Sequence, residues 1–169
     1  MINIVLYEPE IPGNTGNIMR TCAATNSTLH LIEPLGFALD EKQIRRSGVN
    51  YIDKVDYKTY IDYEDFTSKN KGDYYYFTRY GTKPYSDIDF TDKDKNIYLI
   101  FGKESTGVPK EILHDNLDKC YRIPTSDNVR ALNLSNCVAL VTYEALRQQD
   151  FSGLLKYDPF KGKDYLKNE

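Results

Sequence analysis

The chain has 169 residues, 28% of them charged and 40% hydrophobic, and a formal net charge of −3 at pH 7. That suits one globular domain able to bury roughly 68–70% of its unfolded surface, which needs no disulfide or structural metal. A mean hydropathy of −0.59 and the lack of any run of roughly 18 apolar residues argue against a membrane span. The mild acidity argues against coating nucleic acid through bulk charge, though not against a local basic patch.

In chain order, Ile2 to Tyr7 reads as a strand, with no basic leader before it, so secretion is not expected, and the odd, widely spaced Cys22, Cys120 and Cys137 point to a reduced, cytoplasmic compartment. The turn Glu8-Pro9-Glu10-Ile11-Pro12-Gly13 follows, then a helix capped by Asn14 and running to about Thr25. Leu29–Ile32 is a short strand, and Glu41–Arg46 a short helix carrying Lys42, Arg45 and Arg46. Asp53–Tyr57 is read as a strand, Tyr60–Lys69 as an exposed helix, and Asp73–Thr78 as an aromatic strand broken by Gly81-Thr82-Lys83-Pro84.

Asn96–Phe101 is the most apolar strand, of the kind buried on both faces of a parallel sheet. It enters the loop Gly102–Pro109, followed by a helix at Lys110–Asp115 and a strand at Cys120–Ile123. A polar loop, Thr125 to Arg130, leads to the strongest helix, Leu134 to Gln148. Alternating strands and helices indicate an α/β domain with a mainly parallel sheet and helices on both faces. The domain is assigned to residues 1–150, and 151–169 to a peripheral tail. The 15 tyrosines and the absence of tryptophan are taken as compositional drift.

On the last helix, Leu134, Val138, Val141 and Ala145 form an apolar stripe widened by Cys137 and Leu140, while Asn136, Tyr143 and Arg147 form a polar one. So broad an apolar face needs cover on more than one side. A partner subunit and burial within the monomer are equally good sources.

Loops at the carboxyl ends of parallel strands converge on ligand sites, which makes Gly13–Asn17, Gly102–Pro109 and Thr125–Asn133 functional candidates as a group. Generic nucleotide motifs fail: Ile97 stands where a P-loop needs its first glycine, Glu104 fills the Ser/Thr slot, and no G-x-G-x-x-G occurs. Cys22, Cys120 and Cys137 lack short spacing, and His30 lies far from His114, so no metal site is expected. Any chemistry rests on Asn, Arg, Glu and backbone groups.

The same loops carry a resemblance. Asn14-Thr15-Gly16-Asn17-Ile18-Met19-Arg20 resembles the first motif of the SPOUT family of RNA methyltransferases, and Phe101 to Pro109 the second. Ile123-Pro124 with Arg130-Ala131-Leu132-Asn133-Leu134-Ser135-Asn136 resembles the third. The opening Leu6-Tyr7-Glu8-Pro9-Glu10-Ile11-Pro12 is similar to the minimal tRNA (cytidine/uridine wobble) 2′-O-methyltransferase subgroup. The likeness runs from Ile2 to Gln148 and departs at Ala131, where many relatives carry serine.

The resemblance implies a C-terminal deep trefoil knot, a homodimer, and S-adenosylmethionine as methyl donor without a metal. It implies a cofactor pocket lined by Phe77, Thr78, Gly102, Ile123, Ala131, Leu132 and Asn133. Phe77 and Ile123 would otherwise read as plain core. The implied reaction is methyl transfer to a ribose 2′-hydroxyl at the tRNA wobble nucleotide, with Arg20, Asn14, Glu104 and Tyr143 as catalytic candidates.

A guanidinium with a pKa above roughly 12 is a poor base, so Arg20 is assigned to hold a phosphate and polarise the hydroxyl. Lys42, Arg45, Arg46 and Arg130 are the candidates for contact with an anticodon stem-loop. Methylation of ribosomal RNA, and a non-catalytic RNA-binding relative, stand as alternatives; no membrane or DNA partner is expected.

Overall fold

The computed structural model describes residues 1–39 and 52–167. Seven strands form one sheet: β1 (Ile2–Tyr7), β2 (Thr28–Ile32), β3 (Tyr57–Tyr60), β4 (Asp73–Phe77), β5 (Lys83–Pro84), β6 (Ile97–Phe101) and β7 (Cys120–Arg122). Their order across the sheet is β3-β2-β1-β6-β4-β7-β5, and each adjacent pair is parallel. Among the described residues the α-helices are α1 (Pro12–Thr25), α2 (Tyr63–Lys69), α3 (Lys110–His114) and α4 (Leu134–Gln148).

Every residue of β2 and β6 is buried, as expected of central strands covered on both sides. Alternation within β1 divides the core: Ile4 and Leu6 pack with Ile18, Met19 and Cys22 of α1 and Val138, Val141 and Ala145 of α4. Val5 points the other way, with Ile100 and Tyr76, toward Phe66 of α2 and Leu113 of α3. The predicted apolar stripe of α4 is therefore the face that meets the sheet and α1, while Asn136, Tyr143 and Arg147 face outward. Phe151 and Leu154 also pack partly against this core, and from Leu155 the chain is exposed through Lys167.

Several elements depart from the sequence reading. Helix α1 starts earlier than expected, with Ile11 as its N-cap and Pro12 in the first turn, where a fixed φ and a missing N–H carry no penalty. Asn14 is thus inside the helix rather than its cap. The strand expected at Asp53–Tyr57 is a single 3-10 turn at Ile52–Lys54 followed by β3, four residues further on.

Helix α2 begins at Tyr63 because Asp62 caps it, accepting the Asp65 N–H at 2.8 Å. It is not wholly exposed, since Phe66 is completely buried. The segment 81–84 does break β4, yet Lys83 and Pro84 pair with β7 as an edge strand, a position that tolerates proline. The short helix expected at Glu41–Arg46, with Lys42, Arg45 and Arg46, lies outside the described residues.

The tyrosine surplus has a structural role. Tyr60, Tyr74 and Tyr98 surround Phe66 and His30 in a web of edge-on and stacked rings. His30 is buried, with Nδ1 2.8 Å from the Tyr60 hydroxyl and Nε2 3.1 Å from Asn3 Oδ1.

Burial, helped by Lys58, depresses the His30 pKa to about 4 from its ordinary 6.5. The neutral ring is the folded form, so its contribution is complete above pH 6.5 and is lost as pH falls toward 4. Chemical unfolding across that window should show a loss of roughly 3 kcal/mol that His30→Gln removes. An unchanged acid limb in the variant would remove His30 from the account.

Candidate active site

The carboxyl ends of β4, β6 and β7 and the start of α1 open into one cleft beside the point where the chain reverses direction across the sheet. Its volume is about 520 Å³, within the roughly 300–1,000 Å³ of small-molecule sites. Phe77, Thr78, Gly102, Ile123, Ala131, Leu132 and Asn133 all line it, together with Asn14, Glu104 and Arg130. Arg20 and Tyr143 do not: Arg20 lies on the exposed side of α1, and Tyr143 is 44% exposed on α4.

The three motif segments are joined through Glu104. Its Oε2 accepts the Glu10 N–H at 2.8 Å, while Oε1 accepts the Ile11 N–H at 3.2 Å and the Asn14 side-chain amide at 3.1 Å. The carboxylate thus serves the entry to α1, where Ile11 supplies no side-chain cap. Because a carboxylate only accepts, it also fixes which end of the Asn14 amide faces it. Asn14 Oδ1 is then free to accept from Asn133 Nδ2 at 3.0 Å. Asn133 Oδ1 in turn accepts the Ser135 N–H at 2.9 Å, capping α4.

Two further ties hold the same joint. The Glu10 carboxylate accepts from the Ser105 N–H and hydroxyl, both at 2.9 Å, and those bonds hold its pKa below the ordinary carboxylate range. Lys103 Nζ donates to Glu8 Oε2 at 2.6 Å, an ion pair that raises the lysine above its usual value.

The β6 loop folds back so tightly that Gly102 lies directly against the 107–108 backbone, and the Gly107 N–H donates to the Lys103 carbonyl at 2.9 Å. Gly107 has φ of +78°, in the region that favours glycine.

The cleft floor is apolar. Phe77 and Phe101 stack with ring centres 4.9 Å apart and planes 18° from parallel. Ile123 packs half-buried against the core, and Leu132 stays 40% exposed. Cys137 also borders the cleft, and burial raises its thiol pKa, so it serves as a small apolar group. Among the described residues, no cluster of three or more His, Cys, Asp or Glu could hold a metal ion.

Sequence reasoning missed Ile11, Arg79, Tyr80 and Arg122, which also border the cleft, whereas Thr125 belongs to the candidate loop Thr125–Asn133. Arg79 and Tyr80 directly follow Phe77-Thr78, and adjacency to those candidates was the available signal.

The profile of the SpoU rRNA Methylase family matches residues 1–143. A relative from Geobacillus stearothermophilus is 54% identical over 154 residues, covering 90% of this chain and 98% of its own. A tRNA (cytidine(34)-2′-O)-methyltransferase from Escherichia coli K12 is 45% identical over 161 residues, covering 94% and 100%. A structure described as giving insight into 2-OH methylation of C/U34 on tRNA aligns with TM-score 0.81 and 37% identity, covering 89% and 97%. The AdoMet-bound rRNA methyltransferase of Sinorhizobium meliloti aligns with TM-score 0.75 and 25% identity, covering 86% of this chain and 56% of its own. With its fold, its cleft and these relatives in agreement, the chain belongs to the SpoU family of RNA methyltransferases.

Proposed function

We propose that this protein transfers a methyl group from S-adenosylmethionine to the ribose 2′-hydroxyl of the wobble nucleotide of tRNA, cytidine or uridine. The observation that carries the reading is the Glu104–Asn14–Asn133 relay, which ties all three motif segments around one cleft. The relatives that act at position 34 of tRNA supply the substrate.

The residues present fit the cofactor. The stacked Phe77 and Phe101 with Ile123 and Leu132 offer apolar walls, and the turn at Gly102–Gly107 presents backbone beside them. Phe77, Thr78, Gly102, Ile123, Ala131, Leu132 and Asn133 would hold it. When bound, it supplies a methyl group on a positively charged sulfur.

The protein's own task is alignment and charge. Asn14 and Glu104 position the start of α1 and the β6 loop. Arg20, outside the cleft of its own chain, holds the phosphate beside the target and polarises the 2′-hydroxyl of a substrate bound across the subunit seam, and that proton leaves to solvent. Tyr143, on the outer stripe of α4, approaches the substrate or the seam between subunits. Ala131 offers only its backbone, so no side-chain hydroxyl acts there.

The anticodon stem-loop is met by Arg130 at the cleft and by Lys42, Arg45 and Arg46, through phosphates. The protein works in the cytoplasm as a homodimer. The exposed Ile11, Val129, Leu132 and Tyr143 near α1 and α4 support a partner subunit there. The C-terminal part forms a deep trefoil knot. Supporting this, β6 inserts between β1 and β4, β7 lies beyond β4, and α4 returns across the sheet to pack on α1.

The test is transfer of labelled methyl from S-adenosylmethionine to tRNA and ribosomal RNA taken from cells lacking the enzyme, with Arg20→Ala as control. Label should map to the wobble ribose and fall by roughly 100- to 1,000-fold in the variant, with cofactor affinity retained in calorimetry. Label confined to ribosomal RNA would overturn the substrate. Absence of label despite cofactor binding would favour a non-catalytic RNA-binding protein.

A further inference from the structure

Arginines border the cleft on its β7 side, and none of Arg79, Arg122 and Arg130 has a carboxylate partner among the described residues. The acidic groups of the site lie on the α1 side, where Glu8, Glu10 and Glu104 are engaged by Lys103, Ser105 and the α1 entry. In a chain of net charge −3, this is a local concentration of unneutralised positive charge.

The turn that presents Arg79 and Tyr80 is firmly held. The Thr78 N–H donates to the Tyr121 carbonyl at 2.9 Å, the Gly81 N–H to the Thr78 carbonyl at 3.2 Å, and the Tyr80 N–H to Thr78 Oγ1 at 3.2 Å. Arg122 Nη1 donates to the Arg79 carbonyl at 3.0 Å, and Nη2 to Thr125 Oγ1 at 3.3 Å.

On this support the Arg79 guanidinium lies 4.8 Å from the centre of the Tyr80 ring and donates to its hydroxyl. The tyrosine is nevertheless 67% exposed. An exposed pair of this kind adds little to folding. A ring held in place with a face toward solvent, beside an arginine at the mouth of a cleft, has instead the composition of a nucleotide platform.

We infer that Tyr80 and Arg79 form a binding platform for the single-stranded RNA nucleotide flanking the methylation target, Tyr80 stacking on its base and Arg79 pairing with its phosphate. The inference rests on the RNA methyltransferase reading above. It adds a contact that is indifferent to base identity, since every base has a π-face. Arg122 is a positioning residue, acting through the Arg79 carbonyl.

The experiment uses the full chain with an unmodified anticodon stem-loop RNA carrying the fluorescent base 2-aminopurine beside the target nucleotide. Binding to wild type should quench the fluorophore through stacking. Tyr80→Phe should keep the quench, and Tyr80→Ala should lose it and raise the KM for RNA roughly 5- to 100-fold at little cost in kcat. Arg79→Gln should flatten the dependence of log affinity on log salt by about 0.7, one phosphate contact on a single strand. Affinity for S-adenosylmethionine, read by calorimetry, should stay within about twofold in all three variants.

Unchanged quenching and salt slope would overturn the platform, as would a loss confined to cofactor affinity, which would assign the pair to the cofactor site. Quenching by wild type without methyl transfer to any RNA would leave the platform standing and sink the proposed reaction.

Discussion

Gly102→Ala should displace the β6 loop and strongly weaken cofactor binding. A methyl group there would sit 2.1 Å from both the Gly107 carbonyl carbon and the Val108 nitrogen. Both are backbone atoms, so no rotamer change relieves the clash, and either the loop opens or β6 shifts. Overpacking of this severity costs about 3 kcal/mol or more. Since the displaced backbone lines the cleft, affinity for S-adenosylmethionine should fall by about two orders of magnitude.

Gly107→Ala is the matched control. Nothing lies within 4 Å of the added methyl, so only the φ of +78° resists it, at about 1 kcal/mol. Thermal melting and calorimetric titration of both variants decide the matter. A Gly102→Ala protein that melts and binds like Gly107→Ala would show that the tight turn is unimportant.

Glu104→Ala should produce the second largest loss, in both stability and rate. It leaves the Glu10 and Ile11 N–H groups and the Asn14 amide without their acceptor, and the Asn14 amide can then rotate away from Asn133. Water reaches this half-buried site and replaces part of what is lost, so the cost is about 2–4 kcal/mol. In a domain of this size the melting temperature should drop by roughly 5–15 °C.

Glu104→Gln separates charge from geometry. With its carbonyl placed at the Oε1 position it still serves Ile11 and Asn14, but its amino group then faces the Glu10 N–H, donor against donor. An intermediate melting temperature and measurable activity are expected. If Gln and Ala were equally damaging in both readouts, the charge itself, rather than the relay through Asn14, would be the essential feature.

The site was legible where it depended on adjacent residues. Gly102, Glu104 and the Ala131–Asn133 segment stand together in motifs, Phe77 and Thr78 were implied only by the family resemblance, and the structure brings all of them to one cleft. Arg79 and Tyr80 were legible only through adjacency to Phe77-Thr78, and Arg122 was not legible at all. An arginine or tyrosine near a strand end is ordinary, and only the pairing of β4 with β7 brings Arg122 beside the other two. Asn14 was misread in an instructive way: its side chain suits a cap, and that chemistry is used across space toward Glu104 and Asn133 instead of along its own helix.

The apolar periodicity of the chain by itself determined β1, β6 and α4, because a strand or helix buried on a wide face must repeat its apolar residues at its own period. The ordered motifs determined the family. Tertiary structure alone decided strand order, the position of β6 between β1 and β4, and the joining of Glu104 to Asn14 and of Asn14 to Asn133. Those contacts link residues 90 and 119 positions apart. No local pattern encodes such a pairing, because what selects it is the packing of two apolar faces onto one sheet.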